Sequence, residues 1–341
     1  MYHTTIAVDL AKNIFEIAVS KHPGCISERH RFSRSKFQRF FAEHLPATVL
    51  FEACGSAHHW ARTLNHMGHN VILLPPHSVR PYVTRNKTDR SDAKAILEAF
   101  RNEDIHPVPI KTIDQHIIAS LHRYRYAWLA ERTARINAFR GILRELGHAI
   151  PVGSRRLVPA VHALLGEQDT IPQALAPALI AACEEITALE KRIRGSEHHL
   201  ASFTSHHPIA QRLMTIPGIG LLTATTLIAF VGDIHRFPSG RHFASYLGLT
   251  PREHSSGSRR YLGRISKRGD SYLRMLLVHG ARSVLWVAKN TDHPDRLRIW
   301  ALELERTRGH NKAAVALANK LARIAWAVWK RNRIFESMRE V

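Results

Sequence analysis

The chain of 341 residues is 45% hydrophobic and has three cysteines, which excludes a disordered, fibrous or disulfide-stapled protein and fits two or three folded domains. Lysine and arginine outnumber aspartate and glutamate by 49 to 28, and the net charge of +21 favours a nucleic-acid partner over an anionic membrane surface. We expect a cytoplasmic protein without a membrane anchor, because neither a leader peptide nor an apolar run of membrane-spanning length is visible.

The N-terminal third predicts a mixed sheet with helices. Residues 4–20 contain two short runs rich in isoleucine and valine, which predict a pair of strands. Two further strands are predicted at 47–54 and 69–76 with a helix between them, and another helix begins near Ser91. A strand, a helix and a second strand in succession indicate a parallel part of the sheet, so this region is predicted to be α/β.

The rest of the chain predicts mostly helices. Long helices are predicted over 112–148 and 172–203, and these form either an ordinary packed hairpin or a dimerisation arm. A tight turn, PGIG at 217–220, separates two apolar helices. The glycine- and arginine-rich stretch 247–270 predicts a loop with short helices. Further helices are predicted over 271–289 and within the last 45 or so residues.

Four acidic residues stand where a divalent-metal site is expected. Asp9 lies inside an apolar strand, where a charge is costly unless it is paired or bound to metal, and Glu52 ends another strand. Asp89 and Asp92 lie three apart at the start of a helix, which allows them to face the same side. Clustered carboxylates repel one another, and hard cations such as Mg²⁺ or Mn²⁺ offset that repulsion.

Each of these acids also has an ordinary structural explanation. Asp9 can pair with Lys12, Glu52 can face solvent, and Asp89 and Asp92 can act as the N-cap and first-turn acid of a helix. Their order, with one acid in a strand, one at a strand end and a pair on a helix, is nonetheless typical of a ribonuclease-H-like nuclease. In such enzymes two metal ions assist phosphodiester chemistry.

Two features of the C-terminal half indicate contact with nucleic acid. Gly218 and Gly220 of the PGIG turn resemble a helix-hairpin-helix element, whose backbone amides approach a phosphate, although a turn between two core helices has the same sequence. The stretch 252–282 is strongly basic, and a solvated loop is the alternative explanation for it. Its candidate phosphate-binding residues are Arg259, Arg260, Arg264, Lys267 and Arg268.

Two serines precede Gly257 at the start of this basic stretch, Ser255 and Ser256. A serine beside arginines can attack a phosphodiester while the guanidinium groups stabilise the developing charge. A free hydroxyl is a poor nucleophile and needs a base or a metal, which the four acids can supply if the two parts meet. The residues alone leave the serine as either a nucleophile or an ordinary loop residue.

Seven segments together resemble one protein family. They are AVDLAKNIFEIAV around Asp9, FEACGSAHHWAR around Glu52, NKTDRSDAKAI around Asp89 and Asp92, IPGIGLLTATTLIA, YLGLTPREHSSGS, GRISKRGDSYLRMLLVHGAR and NKAAVALANKLARIAW. In this order they run across nearly the whole chain. They are similar to the DEDD-type insertion-sequence transposases of the IS110 family, relatives of the Piv DNA invertase, and most of all to its IS1111 subgroup.

The resemblance implies a domain organisation and an active site. It implies a RuvC-like (ribonuclease-H-like) α/β domain over 1–110, a mostly α-helical linker over 111–205 and a mostly α-helical C-terminal transposase domain over 206–341. It also implies that the four acids bind Mg²⁺ or Mn²⁺. The serine nucleophile maps to Ser256, with the adjacent Ser255 as the alternative.

The resemblance further implies several partners. These are donor and target DNA, a structured bridge RNA that is encoded by the element and pairs with both DNAs, and further copies of the chain in dimers that pair into tetramers. The metal site of one subunit is then expected to meet the serine of another. Candidates for RNA contact on the first long helix are Arg123, Arg125, Arg132, Arg135 and Arg140.

Two other functions fit the same residues. One is a RuvC-like junction resolvase or nuclease that uses water, for which the acids suffice and the serine is not needed. The other is a non-catalytic nucleic-acid-binding protein, in which the acids are structural. Metal-assisted attack of a serine on DNA phosphodiesters distinguishes the transposase from both.

Overall fold

The computed structural model describes residues 4–83, 89–167 and 170–336, except for the side chains of Asp89 and Arg90. The chain divides into two compact units, one ending at Ile113 and the other beginning at Asp114. This division lies close to the predicted boundary after residue 110, and the predicted helical linker belongs to the same unit as the C-terminal region. Across the described ranges, no helix has both the length and the apolar character needed to cross a membrane.

The first unit is built on a five-stranded mixed sheet with the strand order β3-β2-β1-β4-β5. Strands β1, β2 and β3 pair antiparallel, whereas β1, β4 and β5 pair parallel, as the strand–helix–strand pattern predicts. The bounds are β1 (Thr5–Leu10), β2 (Ile14–Ser20), β3 (Glu28–Ser33), β4 (Thr48–Glu52) and β5 (Asn70–Leu74). The edge strand β3 is an addition to the predicted sheet.

Helices cover both faces of this sheet. They are α1 (Arg34–Glu43), α2 (Ala57–His66), α3 (Pro76–Val79), which continues into a 3₁₀ turn at Arg80–Tyr82, and α4 (Asp89–Phe100). Side chains alternate along a strand, so Ile6 and Val8 of β1 pack in the core beneath α1 and α2. Ala7 points to the opposite face, where it packs in a second core with Ala93 and Ile96 of α4.

The second unit begins with an antiparallel helical arm. Its helices are α5 (Ile113–Glu145), α6 (Ser154–Gly166) and α7 (Ala176–Ser205). Three ion pairs link α5 to α7. As the residue number on α5 increases, the residue number of its partner on α7 decreases, so the two helices are antiparallel. The pairs are Arg125–Glu197 at 2.6 Å, Arg132–Glu190 at 3.7 Å and Arg135–Glu185 at 2.6 Å. The two long helices therefore form the hairpin that the sequence predicts as one of two alternatives.

The remainder of this unit is a helical bundle with one small hairpin of strands. Its elements are α8 (Pro208–Met214), α9 (Leu221–Val231), α10 (Gly240–Tyr246), β6 (Pro251–Glu253), β7 (Leu262–Ile265), α11 (Ser271–Lys289), α12 (Arg296–Arg308) and α13 (His310–Arg331). Helix α9 is apolar on nearly every side and lies buried in the core of the bundle.

The prediction of a loop with short helices over 247–270 is wrong. Strands β6 and β7 pair antiparallel in this stretch, with Pro251 opposite Ile265 and Glu253 opposite Leu262. Both strands are largely exposed, so neither shows the alternation of apolar and polar residues that marks a strand with one buried face. The missing alternation explains why the sequence gives no strand signal here.

Candidate active site

The sheet brings two of the four predicted acids side by side. Strands β1 and β4 pair in parallel up to Val8 and Phe51, so Asp9 and Glu52 occupy the next positions of the two strands. Both lie two residues after members of the core under α4, Ala7 and Leu50, and therefore face the same side of the sheet. Both side chains are half-buried and both have polar or charged partners.

Helix α4 carries the other two predicted acids over this same face. It begins at Asp89, and Asp92 lies in its first turn, directly before the core residue Ala93. Asp92 is half-buried, and its Oδ1 atom is buried with no hydrogen-bond partner among the described residues. The side chain of Asp89 lies outside the described part of the structure. An unpartnered buried carboxylate oxygen is costly unless a cation or water completes it.

The acid face contains one further carboxylate that the sequence analysis missed. Glu16 of β2 stands opposite Asp9 in the antiparallel register, so Glu16, Asp9 and Glu52 form one row across three strands. The next strand places Arg31 opposite Glu16, at the edge of the sheet. The composition of β2 could have revealed Glu16, because it is the one charged residue in an otherwise largely apolar strand.

The acid set fits a hard divalent cation in donor type. Carboxylate oxygens are the ligands that Mg²⁺ and Mn²⁺ prefer, and the buried, unpartnered oxygen of Asp92 is available to such an ion. Among the side chains that the structure describes, no three His, Cys, Asp or Glu residues already stand close enough together to hold a metal. The side chain of Asp89, the fourth predicted ligand, is not among these described side chains.

A tight turn at the tip of the β6–β7 hairpin presents the predicted nucleophile. Ser256 and Arg259 exchange two backbone hydrogen bonds, of 3.2 Å from the Ser256 amide and 3.1 Å from the Arg259 amide. Gly257 follows Ser256 with a φ of +57°, the conformation that a two-residue hairpin turn of type II′ requires at its first central position. Gly257 is therefore required by the turn, whatever the role of the serine before it.

The two adjacent serines have different surroundings. The Ser255 hydroxyl donates to Glu253 Oε1 at 2.8 Å and accepts from the Tyr261 amide at 3.3 Å, which ties it into the hairpin. The Ser256 side chain is exposed, and its hydroxyl has no hydrogen-bond partner within the described residues. The Ser255 hydrogen bond and the neighbouring Arg260 lower the pKa of Glu253, so this carboxylate is a weak proton acceptor.

The five predicted phosphate-binding residues lie at the end of this turn or after it in sequence, and their side chains are all exposed. Arg260 forms an ion pair with Glu253 at 3.2 Å. The other four make no ion pair with any described residue, and they are Arg259, Arg264, Lys267 and Arg268. Their unpaired positive charge suits a phosphodiester, because nucleic-acid affinity comes largely from such contacts. Arginine also matches the geometry of a phosphate with two parallel donors.

The PGIG turn has a packing explanation for one of its glycines. Gly218 has a φ of +79°, and a Cβ atom there would lie 2.7 Å from the Gly280 carbonyl oxygen on α11. Gly218 is thus required by the close approach of two backbones, independently of any phosphate. Gly220 is exposed immediately before α9, with open space around it, and the predicted phosphate contact at this turn rests on Gly220.

Three of the five arginines predicted as candidates for RNA contact form ion pairs within the helical arm. Arg125, Arg132 and Arg135 pair with glutamates of α7. The Arg140 guanidinium donates to the Pro151 carbonyl at 3.2 Å, and Arg123 is exposed. Since a guanidinium that is already paired contributes less to a new anion, the arm is a weaker RNA-binding candidate than its arginine count indicates.

Comparisons with known proteins match both units. The model of the transposase IS116/IS110/IS902 family matches residues 210–295, which include Ser256, and a transposase model named for DEDD and IS110 matches residues 6–148, which include the four acids. The chain is also 37% identical over 331 residues to the transposase for insertion sequence element IS1111A of Coxiella burnetii, which covers 97% of this chain and 90% of that protein.

This chain belongs to the IS110 family of transposases. Two further relatives support the assignment over nearly the whole length. The chain is 40% identical to a "Probable family 20 transposase" of Pseudomonas aeruginosa and 39% identical to the transposase for insertion sequence element IS1328 of Yersinia enterocolitica. Each match covers 97% of this chain and 98% of the relative. DNA transposition is accordingly the activity of this IS110-family transposase.

Proposed function

We propose that this IS110-family transposase cuts and rejoins DNA through the hydroxyl of Ser256. The observation that carries the proposal is the contrast between the two serines. The Ser255 hydroxyl is occupied by Glu253 and the Tyr261 amide, whereas the Ser256 hydroxyl is exposed and unpartnered among the described residues. Ser256 also stands at the tip of a hairpin rich in unpaired arginines, which suits it to meet an anionic substrate.

The proposed step conserves the energy of the phosphodiester. The Ser256 Oγ attacks the phosphorus atom, a serine–phosphate ester bond forms, and one phosphorus–oxygen bond to a deoxyribose breaks. The proton of the hydroxyl passes to a base, and the departing deoxyribose oxygen takes up a proton. The reverse reaction with the oxygen of another strand end rejoins the DNA, so no ATP is required. The exposed guanidinium groups of the hairpin neutralise the charge that develops on the phosphate.

The first unit is proposed to hold the metal site of this reaction. Asp9, Glu52, Asp89 and Asp92 are the ligands, on a ribonuclease-H-like (RuvC-like) scaffold that the mixed sheet with its strand order supports. When bound, Mg²⁺ or Mn²⁺ supplies the positive charge that activates an attacking oxygen and stabilises a leaving one. The chain itself orients the carboxylates by placing two on neighbouring strands and two on the first turn of α4.

The partners of this site are proposed from the family resemblance and from charge. Donor and target DNA are the substrates, and a bridge RNA encoded by the element selects them by base pairing. The net charge of +21 supports binding to several nucleic-acid strands at once. The active species is proposed to be a tetramer made from two dimers, in which the acids of one subunit serve the Ser256 of another.

The test is a search for a covalent protein–DNA adduct. The full-length protein, the RNA and an end-labelled donor DNA are mixed with Mg²⁺, denatured and separated by electrophoresis. We expect a labelled adduct with the wild-type chain and with Ser255→Ala, and none with Ser256→Ala. Ser255→Ala is the matched control, because it alters the same turn and removes a hydroxyl one residue away.

The remaining outcomes separate the alternative functions. An adduct that survives Ser256→Ala but disappears with Ser255→Ala moves the nucleophile by one residue and contradicts the proposal. DNA cleavage without any adduct identifies a nuclease that uses water. Binding of RNA and DNA with neither cleavage nor adduct, in wild type as in Asp9→Asn, identifies a non-catalytic nucleic-acid-binding protein.

A further inference from the structure

A large open groove lies in the second unit, beside the base of the β6–β7 hairpin. Its volume is about 1680 Å³, and α10, the hairpin, α12 and α13 contribute its walls. Its residues come from four separate parts of the chain, so no local sequence motif predicts the groove. The N-terminus of α10 lies close against α13, since a Cβ atom on Gly240 would be 3.2 Å from the backbone of Arg323.

The groove concentrates positive charge that the protein leaves unpaired. None of the residues lining it is an aspartate or a glutamate, and its cations make no ion pair with any described residue. The six cations are Arg241, Arg264, Lys267, Lys312, Lys320 and Arg323. Gathering like charges without counter-charges is unfavourable in the free protein, and an anionic ligand removes that cost. The arginines of the helical arm, which pair with glutamates, show the opposite arrangement.

The floor of the groove is aromatic and aliphatic. Trp300 and Trp326 line it, and each ring carries a lysine ammonium, Lys320 at 4.0 Å from the Trp300 centroid and Lys330 at 4.9 Å from the Trp326 centroid. The Trp326 indole donates to the Phe237 carbonyl at 3.2 Å, which fixes the orientation of that ring. Aromatic rings on which bases stack, surrounded by cations that track phosphates, form the usual combination in proteins that bind a single nucleic-acid strand.

The groove is continuous with the hairpin that carries Ser256. Pro251 of β6 and Arg264 of β7 line the groove, and they belong to the same two-stranded ladder whose turn begins at Ser256. The extended backbone from Pro251 to Ser256 spans about 16 Å at the usual rise per residue. At the roughly 3.4 Å per nucleotide that one strand keeps in duplex DNA, that length corresponds to roughly five nucleotides.

We infer that this groove binds the DNA strand that Ser256 cuts, about five nucleotides away from the cleaved phosphate. The inferred distance of about five nucleotides rests on the proposed role of Ser256, whereas the inferred DNA binding rests on the groove itself. The phosphates of the strand contact the six cations, and its sugars and bases lie along the indole and aliphatic floor. DNA is favoured over RNA as the occupant because the groove leads along one hairpin to the residue that attacks DNA.

The test measures DNA binding separately from chemistry. It uses the full-length Ser256→Ala chain, a fluorescent single-stranded donor-end DNA and the RNA of the same sequence, titrated at several salt concentrations. Lys312→Ala and Arg323→Ala remove exposed groove cations that have no ion pair. Arg331→Ala, an exposed arginine of α13 outside the groove, is the matched control. Circular dichroism establishes that each variant is folded.

We expect each groove substitution to weaken DNA binding about tenfold and to reduce the slope of log Kobs against log salt by about 0.7. The double variant loses about twice as much slope, and Arg331→Ala behaves like the parent chain. DNA affinity that is unchanged in the double variant overturns the inference. A loss confined to the RNA probe also overturns it and assigns the groove to RNA.

The distance between the groove and the cleaved phosphate is tested by photocrosslinking on the wild-type complex. Donor DNA carries 5-iododeoxyuridine at successive positions from the cleaved phosphate, and crosslinked peptides are identified by mass spectrometry. We expect the Trp300 or Trp326 peptide to crosslink near the fifth nucleotide. Crosslinks to peptides outside the groove at every position contradict the inference. A failed adduct assay with normal groove binding instead contradicts the role of Ser256 alone.

Discussion

The buried imidazole of His122 makes the stability of the second unit depend on pH. His122 on α5 is 1% exposed, and its ring contacts the Thr225 hydroxyl at 2.9 Å and the Tyr272 hydroxyl at 3.2 Å. Burial, and secondly the charge of Arg125, lower the pKa of His122 from 6.5 to about 4. The imidazole is therefore neutral in the folded chain at pH values where an exposed histidine is charged.

The sign and size of the effect follow from proton linkage. The unfolded chain takes up a proton at His122 as the pH falls through 6.5, whereas the folded chain does so only near 4. Stability contributed by the neutral ring is therefore present in full above pH 6.5 and is lost as the pH falls below it. Between pH 7 and pH 5 this single group is expected to remove about 2 kcal/mol of unfolding free energy.

The assay is urea unfolding at pH 7 and pH 5, followed by tryptophan fluorescence. Five of the six tryptophans lie in the second unit, so the signal reports mainly on it. His122→Asn lowers the free energy of unfolding at pH 7, but the variant has no imidazole to titrate at this position. Between pH 7 and pH 5 the variant therefore loses about 2 kcal/mol less unfolding free energy than the wild type does. His235→Asn, at an exposed position, keeps the wild-type loss. Equal losses in wild type and His122→Asn would refute the reasoning.

Two further predictions concern backbone packing and metal binding. Gly280→Ala places a Cβ 2.0 Å from the Gly218 carbonyl oxygen and should cost about 1–3 kcal/mol of unfolding free energy, whereas Gly141→Ala, a helical site with open space, should gain about 0.5–1 kcal/mol. Thermal melts of both variants check this, and a stabilised Gly280→Ala would count against the close contact. Asp92→Asn should weaken Mn²⁺ binding at least about tenfold in an electron paramagnetic resonance titration, while the exposed Asp104→Asn leaves it unchanged. Equal Mn²⁺ affinity in both variants would exclude Asp92 as a ligand.

Elements with a strong hydrophobic period could be predicted from the sequence, and exposed ones could not. Strands β1, β4 and β5 are apolar runs that end at charged or turn residues. The edge strand β3, with the sequence ERHRFS, is mostly polar because one of its edges and much of its surface face solvent. Helix α6 was missed because Pro159 lies inside it, and proline normally argues against a helix interior.

The candidate site likewise contains residues that could be predicted from the sequence and features that could not. The acids could be proposed from sequence because a charge inside an apolar strand is unusual, and the sheet register then places Asp9 beside Glu52. The difference between Ser255 and Ser256 could not be predicted, because it depends on which hydroxyl the hairpin turns towards Glu253. The groove is assembled from α10, α12, α13 and the hairpin, so its charge becomes visible only when distant segments fold together.

The arm formed by α5 and α7 has a consequence for spacing. Ile118 and Ala119 of α5 pack near α9, while Phe139 and Leu143 pack in a separate core with α6 and the start of α7. At 1.5 Å per residue the two cores stand about 30 Å apart. Deleting four residues from each helix would bring them about 6 Å closer and turn the distal core by roughly 40°. The arm thus fixes both the distance and the orientation of the distal core, and a deletion of four residues changes both.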